Sequence, residues 1–102
     1  MVVHISSENF KEEVLSEQRT VVLDFFAKWC MPCRMISPII EEISNEMDDT
    51  VKVCKIDVDE APDLARQYEV LSIPTLLVVK DGEEVRRSIG FMPKQEIADM
   101  IG

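Results

Sequence analysis

Residues 20–47 read Thr20-Val21-Val22-Leu23-Asp24-Phe25-Phe26-Ala27-Lys28-Trp29-Cys30-Met31-Pro32-Cys33-Arg34-Met35-Ile36-Ser37-Pro38-Ile39-Ile40-Glu41-Glu42-Ile43-Ser44-Asn45-Glu46-Met47, and two periodicities meet inside this stretch. Its first part, Thr20–Phe26, is β-rich and nearly all apolar, the pattern of a central strand buried on both faces. From about Met31 the spacing changes. Ile36, Ile40, Ile43 and Met47 recur at helical intervals, while Glu41, Glu42, Asn45 and Glu46 fall on the other side. A helix over about 31–47 with one buried stripe is expected. Two of the three cysteines stand at the junction between these elements.

The flanking sequence continues the alternation. Val2–Ile5 suits a short edge strand. Ser6 or Ser7 then offers an N-cap, with Phe10, Val14 and Leu15 as one apolar helical face through about Glu17. Val51–Asp57 is the next strand. Pro62 fits the first turn of a short helix, Ala61–Tyr68, that turns Leu64 and Tyr68 to one side. Thr75–Lys80 is another buried strand, and Asp81-Gly82 is a hairpin turn from which Glu84–Ile89 returns antiparallel. Gly90 breaks that strand, and Pro93 opens a last helix with Ile97, Met100 and Ile101 inward. The order βαβαβαββα predicts an α/β fold: a sheet covered by helices on both faces, mostly parallel at first, with an antiparallel hairpin added. With no linker or repeat, residues 1–102 read as one domain.

The net charge of −9 argues against nucleic acid, whose phosphates demand a basic patch, and fits a soluble, acidic surface. No apolar run approaches the roughly 20 residues of a membrane helix, so no membrane partner is expected. The N-terminus lacks a basic n-region and a long apolar stretch, which makes a cytoplasmic protein the simplest reading, although a mature chain stripped of its leader would look similar. Three cysteines, at 30, 33 and 54, do not make a disulfide scaffold; a close pair points to redox chemistry or metal binding.

Spacing of three brings both sulfurs of Cys30 and Cys33 to one side of a first helical turn, within reach of a disulfide. Cys30 at the helix N-terminus faces unpaired backbone N–H groups and the positive end of the helix dipole, which favour a thiolate. Pro32 needs no N–H in the first turn and stiffens the link between the sulfurs. Asp24 is the only ionisable residue within Val21–Phe26. A carboxyl buried there has a raised pKa suited to proton transfer; a structural hydrogen bond or a misjudged strand face is the alternative.

The run Asp24-Phe25-Phe26-Ala27-Lys28-Trp29-Cys30-Met31-Pro32-Cys33-Arg34 closely resembles the active-site segment of thioredoxins, and the resemblance spans essentially the whole chain. Pro38 matches the proline inside the active-site helix, Lys55-Ile56-Asp57-Val58-Asp59 the third-strand segment, and Ile73-Pro74-Thr75 the cis-proline loop. Lys80-Asp81-Gly82 and Gly90 match the hairpin turn and the glycine after it. The resemblance implies a thioredoxin fold, with a mixed five-stranded sheet and four helices. It also implies a thiol-disulfide oxidoreductase that reduces disulfides in target proteins and is re-reduced by a thioredoxin reductase. Cys30 would attack the target disulfide and Cys33, deeper, would resolve the mixed disulfide. Asp24, paired with Lys55, would carry the proton traffic of Cys33. Trp29, Met31, Pro32, Ile73, Pro74, Gly90 and Phe91 would form an uncharged docking surface, the backbone before a cis Pro74 pairing with the substrate chain. No cofactor or metal is expected: the chain has no glycine-rich dinucleotide fingerprint, so nicotinamide chemistry falls to the partner. A monomer is expected.

Met31 departs from the family, which usually has glycine there. It adds flexible apolar surface beside the nucleophile, and it either shifts substrate preference and potential or is neutral. Phe26 replaces a frequent tryptophan, Phe91 a small residue and Ser72 a frequent glycine. Cys54 reads as a buried structural thiol, His4 as a strand or surface residue, and the six methionines mostly as core filler. Three other functions compete: a disulfide oxidase or isomerase of the same fold; a zinc module using Cys30, Cys33, Cys54 and His4; and a cysteine-independent scaffold, which the presence of both cysteines disfavours.

Overall fold

Five strands, β1 (Val2–Ile5), β2 (Thr20–Phe26), β3 (Val51–Asp57), β4 (Thr75–Lys80) and β5 (Glu83–Ile89), pair in the order β1-β3-β2-β4-β5. The computed structural model describes residues 1–102. Three α-helices, α1 (Met31–Glu46), α2 (Pro62–Gln67) and α3 (Lys94–Ile101), and a short π-type helix over Lys11–Leu15 cover the sheet. This is the mixed sheet with four helices that the sequence implies. No helix is long and apolar enough to cross a membrane.

Strand directions differ in one respect from the expected order. β1, β3 and β2 are parallel, but β4 runs antiparallel to β2 as well as to β5. The connection between β3 and β4 explains this. Its helix α2 has six residues, about 9 Å of rise against the roughly 23 Å of a seven-residue strand. The chain therefore re-enters the sheet at the end it left. The β4–β5 turn is the two-residue hairpin expected of Asp81-Gly82, with φ of 51° and 80° and Lys80 opposite Glu83. A bulge follows, where the register slips between Val78 and Val79.

The first helix also differs. The Ser16 N–H reaches back five residues to the Lys11 carbonyl at 3.1 Å, which widens the turn. The extra residue rotates Leu15 out to solvent while Phe10 and Val14 stay buried. Neither serine caps this segment through its hydroxyl. Asn9 does the joining instead, its side-chain oxygen accepting the Ser6 N–H at 2.8 Å.

The core has two layers because β2 is buried on both faces. One face packs Val21, Leu23, Phe25, Ile56 and Leu77 against Phe10, Val14 and Leu64. The other packs Val22, Val53, Leu76 and Val78 against Ile36, Ile40 and Ile43 of α1 and Ile97 and Ile101 of α3. The methionines do not fill either layer: Met1, Met31 and Met35 are exposed, and Met47, Met92 and Met100 sit half-buried at the margins. The branched aliphatic residues already occupy the interior, leaving only the edges for the longer side chains.

Leu23 lies wholly inside one layer, on the strand that pairs on both sides. Replacing it with alanine leaves a cavity that the flanking strands hold open. Leu23→Ala is expected to lower stability by about 3 kcal/mol, read as a reduced urea midpoint at an unchanged slope.

Candidate active site

Strand direction gathers four separate segments at one end of the sheet. β2, β3 and β5 point the same way and β4 points oppositely. The C-terminal ends of the first three and the start of β4 therefore meet there. Trp29–Cys33, Val58–Asp59, Ile73–Pro74 and Gly90–Phe91 occupy that end. The Gly90 N–H donates to the Pro74 carbonyl at 2.8 Å, tying two of these segments together. Gly90 takes a φ of 93°, open to glycine and strained for other residues.

Cys30 and Cys33 are joined by a disulfide, with Cα atoms 5.2 Å apart. Cys30 is the N-cap of α1: its φ of −88° and ψ of 111° are extended, and its Sγ accepts the Cys33 N–H at 3.2 Å. The first turn of α1 holds no acidic residue, so nothing there opposes a negative sulfur. The expected contrast between an exposed Cys30 and a deeper Cys33 is absent in this disulfide form: the two are 4% and 3% exposed. Ala27, Phe26, Val58 and Ile73 pack around the pair and cover both. What distinguishes them is their neighbours. Cys30 Sγ stands 3.9 Å from the Ile73 carbonyl oxygen, whereas Cys33 lines a cleft of about 290 Å³ with Phe26, Lys28, Arg34, Ser37 and Lys55.

Asp24 lies beneath that cleft. The parallel register sets Asp24 beside Lys55 on the face covered by α1. Asp24 is 0% exposed, and neither carboxylate oxygen has a hydrogen-bond partner. Burial pushes its pKa up to about 6, against the opposing pull of the Lys55 charge. The Lys55 ammonium is 4.0 Å from Asp24 Oδ2, lies 4.6 Å from the Phe26 ring centroid, and donates to Ser37 Oγ at 2.9 Å.

The residues expected to dock substrate fall into three groups by exposure. Trp29 and Met31, 70% and 61% exposed, stand out from the surface with Pro32 and Phe91. Ile73 and Gly90 are half-buried. Pro74, expected on the surface, is buried against the start of β4, so Ile73 rather than Pro74 presents that loop. The Ile73–Pro74 bond is cis, as the resemblance implies. Three residues escaped the sequence reading. Asp59 accepts the Trp29 Nε1–H at 2.8 Å and fixes the indole; Ser37 holds Lys55; Met35, one turn after Met31, extends the exposed apolar surface. Ser37 and Met35 each lie one helical turn after a site residue, Cys33 and Met31, a spacing that gains meaning only beside Lys55 and the exposed rim; Asp59 is revealed by the fold alone. Cys54 lies in the opposite core layer, where burial pushes its thiol up to about 11, and His4 is exposed on β1; neither joins the dithiol.

The family model described as Thioredoxin matches residues 1–102. Thioredoxin of Bacillus subtilis is 46% identical over 100 residues, covering 98% of this chain and 94% of that protein. Thioredoxin of Rickettsia typhi is 45% identical over 101 residues, 99% of this chain and 96% of its own. Thioredoxin 1 of Synechococcus elongatus is 43% identical over 97 residues, with coverage of 95% and 91%.

The raised carboxyl of Asp24 weakens the fold at neutral pH. The folded state holds its proton up to about pH 6, whereas an unfolded carboxyl releases it near its ordinary value of 3.8. The contribution of Asp24 to stability is therefore most favourable below pH 4, declines as pH rises to about 6, and is level above. The loss is on the order of 3 kcal/mol. Asp24→Asn removes that loss, so urea unfolding at pH 8 is expected to show a gain of that order, shrinking to nothing attributable to charge below pH 4.

Proposed function

The chain belongs to the thioredoxin family, and we propose that its thiol-disulfide oxidoreductase activity runs through an ordered exchange in which Cys30 attacks and Cys33 resolves. In the reduced form the Cys30 thiolate attacks one sulfur of a target disulfide. A bond forms between Cys30 and that sulfur, and the target's other sulfur leaves and takes up a proton. Cys33, losing its proton, then attacks Cys30 Sγ and displaces the remaining target sulfur. The target gains two electrons and becomes a dithiol; the protein keeps the Cys30–Cys33 disulfide.

Asp24 is the acceptor of the Cys33 proton in this scheme. The observation that carries the assignment is a carboxyl with no exposure and a pKa near 6, buried 4.0 Å from Lys55, which lines the same cleft as Cys33. A base with that pKa is poised to take and return a proton near neutral pH. Lys55 supplies the charge that keeps the ionised carboxyl tolerable.

Target proteins dock on the apolar rim formed by Trp29, Met31, Pro32, Ile73, Gly90 and Phe91, with Pro74 holding the Ile73 backbone in place. No backbone partner engages the Ile73 N–H or carbonyl, which leaves both for an extended substrate chain. Met31 gives this rim an adaptable apolar side chain in place of glycine. A thioredoxin reductase restores the dithiol, and the chain needs no cofactor of its own, since the electrons pass between sulfurs. We read residues 1–102 as one domain acting as a monomer. A cytoplasmic location suits this chemistry, because a reductant works where its dithiol is kept reduced.

Single-turnover reduction of a disulfide substrate tests the order. Cys33→Ser is expected to accumulate a Cys30–target mixed disulfide visible by mass spectrometry, and Cys30→Ser none. Asp24→Asn is expected to slow resolution of that intermediate at pH 7 by about a hundredfold, at the lower end of what a positioned base contributes. Unchanged rates remove Asp24 from the mechanism.

A further inference from the structure

The Lys55 ammonium stops short of the carboxylate beneath it. At 4.0 Å from Asp24 Oδ2 it lies outside the 2.7–3.2 Å of a hydrogen bond, although that carboxylate has no other partner. Its one close contact is with the hydroxyl of Ser37, at 2.9 Å, and the Phe26 ring lies beside it at 4.6 Å. Ser37 sits one helical turn after Cys33 and lines the same cleft. From this geometry we infer that Ser37 is a positioning residue: its hydroxyl holds the Lys55 ammonium on the helix side of the cleft and keeps it from closing onto Asp24.

The remaining charges around the pair do not take over that role. Lys28 and Arg34 line the cleft; Lys28 pairs with Glu60 at 3.5 Å, and the Arg34 guanidinium donates to the Lys28 carbonyl. On β3, Asp57 accepts the Asp59 N–H. On β1, His4 stands beside Lys55 in register and is exposed. β4 sets the uncharged Leu76 opposite Asp24. From α1, Cys33 is the other titratable group, and it is locked in the disulfide here.

Removing the hydroxyl frees the ammonium to hydrogen-bond the carboxylate directly. A direct contact favours the ionised form, so the Asp24 titration moves down. The inference rests on the proposed role of Asp24 for its effect on rate, but not for its effect on titration.

The test is a pH titration of the Asp24 side-chain carboxyl by carbon NMR on the disulfide form, where neither Cys30 nor Cys33 titrates. Ser37→Ala is expected to lower the midpoint by about 1 pH unit, so that the protonated fraction at pH 7 falls roughly tenfold. Ser37→Thr, which keeps the hydroxyl, is expected to retain the parental midpoint. In a Lys55→Met background, Ser37→Ala is expected to add no shift. An unchanged or raised midpoint in Ser37→Ala overturns the inference, as does a shift of the same size without Lys55. If Asp24→Asn leaves mixed-disulfide resolution unaltered while these titrations behave as stated, the relay fails and the positioning role stands.

Discussion

β2 has to be dry on both sides, and it nevertheless carries a carboxyl group. The strand pairs with β3 on one edge and β4 on the other, and a packed layer lies against each face. No position within Val21–Phe25 reaches water. The two core layers, the direction in which α1 leaves the sheet and the position of the dithiol at its start all follow from where this strand lies. Asp24 is held to the same constraint. It cannot move to solvent without dismantling the centre of the sheet, so its environment can be tuned only from the side, by Lys55 on the neighbouring strand and by α1 above.

Much of this was legible in the sequence, because apolar runs and helical stripes report burial directly. Thr20–Phe26, Val51–Asp57 and Thr75–Lys80 announce themselves as strands, and a solitary aspartate among Val, Leu and Phe is conspicuous. An apolar run carries no direction, however, which is why the antiparallel placement of β4 had to come from the short span of α2. The widened turn at Lys11–Leu15 was hidden for a related reason. Phe10, Val14 and Leu15 fit an ordinary helix equally well, and a single five-residue hydrogen bond decides which of them is buried.

The site shows the same division. Cys30, Cys33 and Asp24 stand out by residue type and spacing, and Lys55 through the family resemblance. Ser37 does not, since serine on a helix is unremarked until the opposing strand places a lysine beneath it. Asp59 becomes relevant only when β3 ends next to the loop that bears Trp29. The burial of Cys30 escapes a purely local reading, because part of its cover comes from Val58 and Ile73, residues distant in the chain. Contacts made across the sheet end are a property of topology, and topology was the part least determined by pattern.

The bulge between Val78 and Val79 has a bearing on how this molecule meets other chains. β5 is an edge strand, and an edge offers unpaired backbone to any extended segment that comes alongside. Here the edge is twisted by the bulge and bears Glu83, Glu84, Arg86 and Arg87, so neighbouring molecules find it a poor template for pairing. The opposite edge, β1, is only four residues long. Both edges of the sheet thus offer little to an approaching strand, and under the proposed docking mode main-chain pairing falls to the few atoms around Ile73.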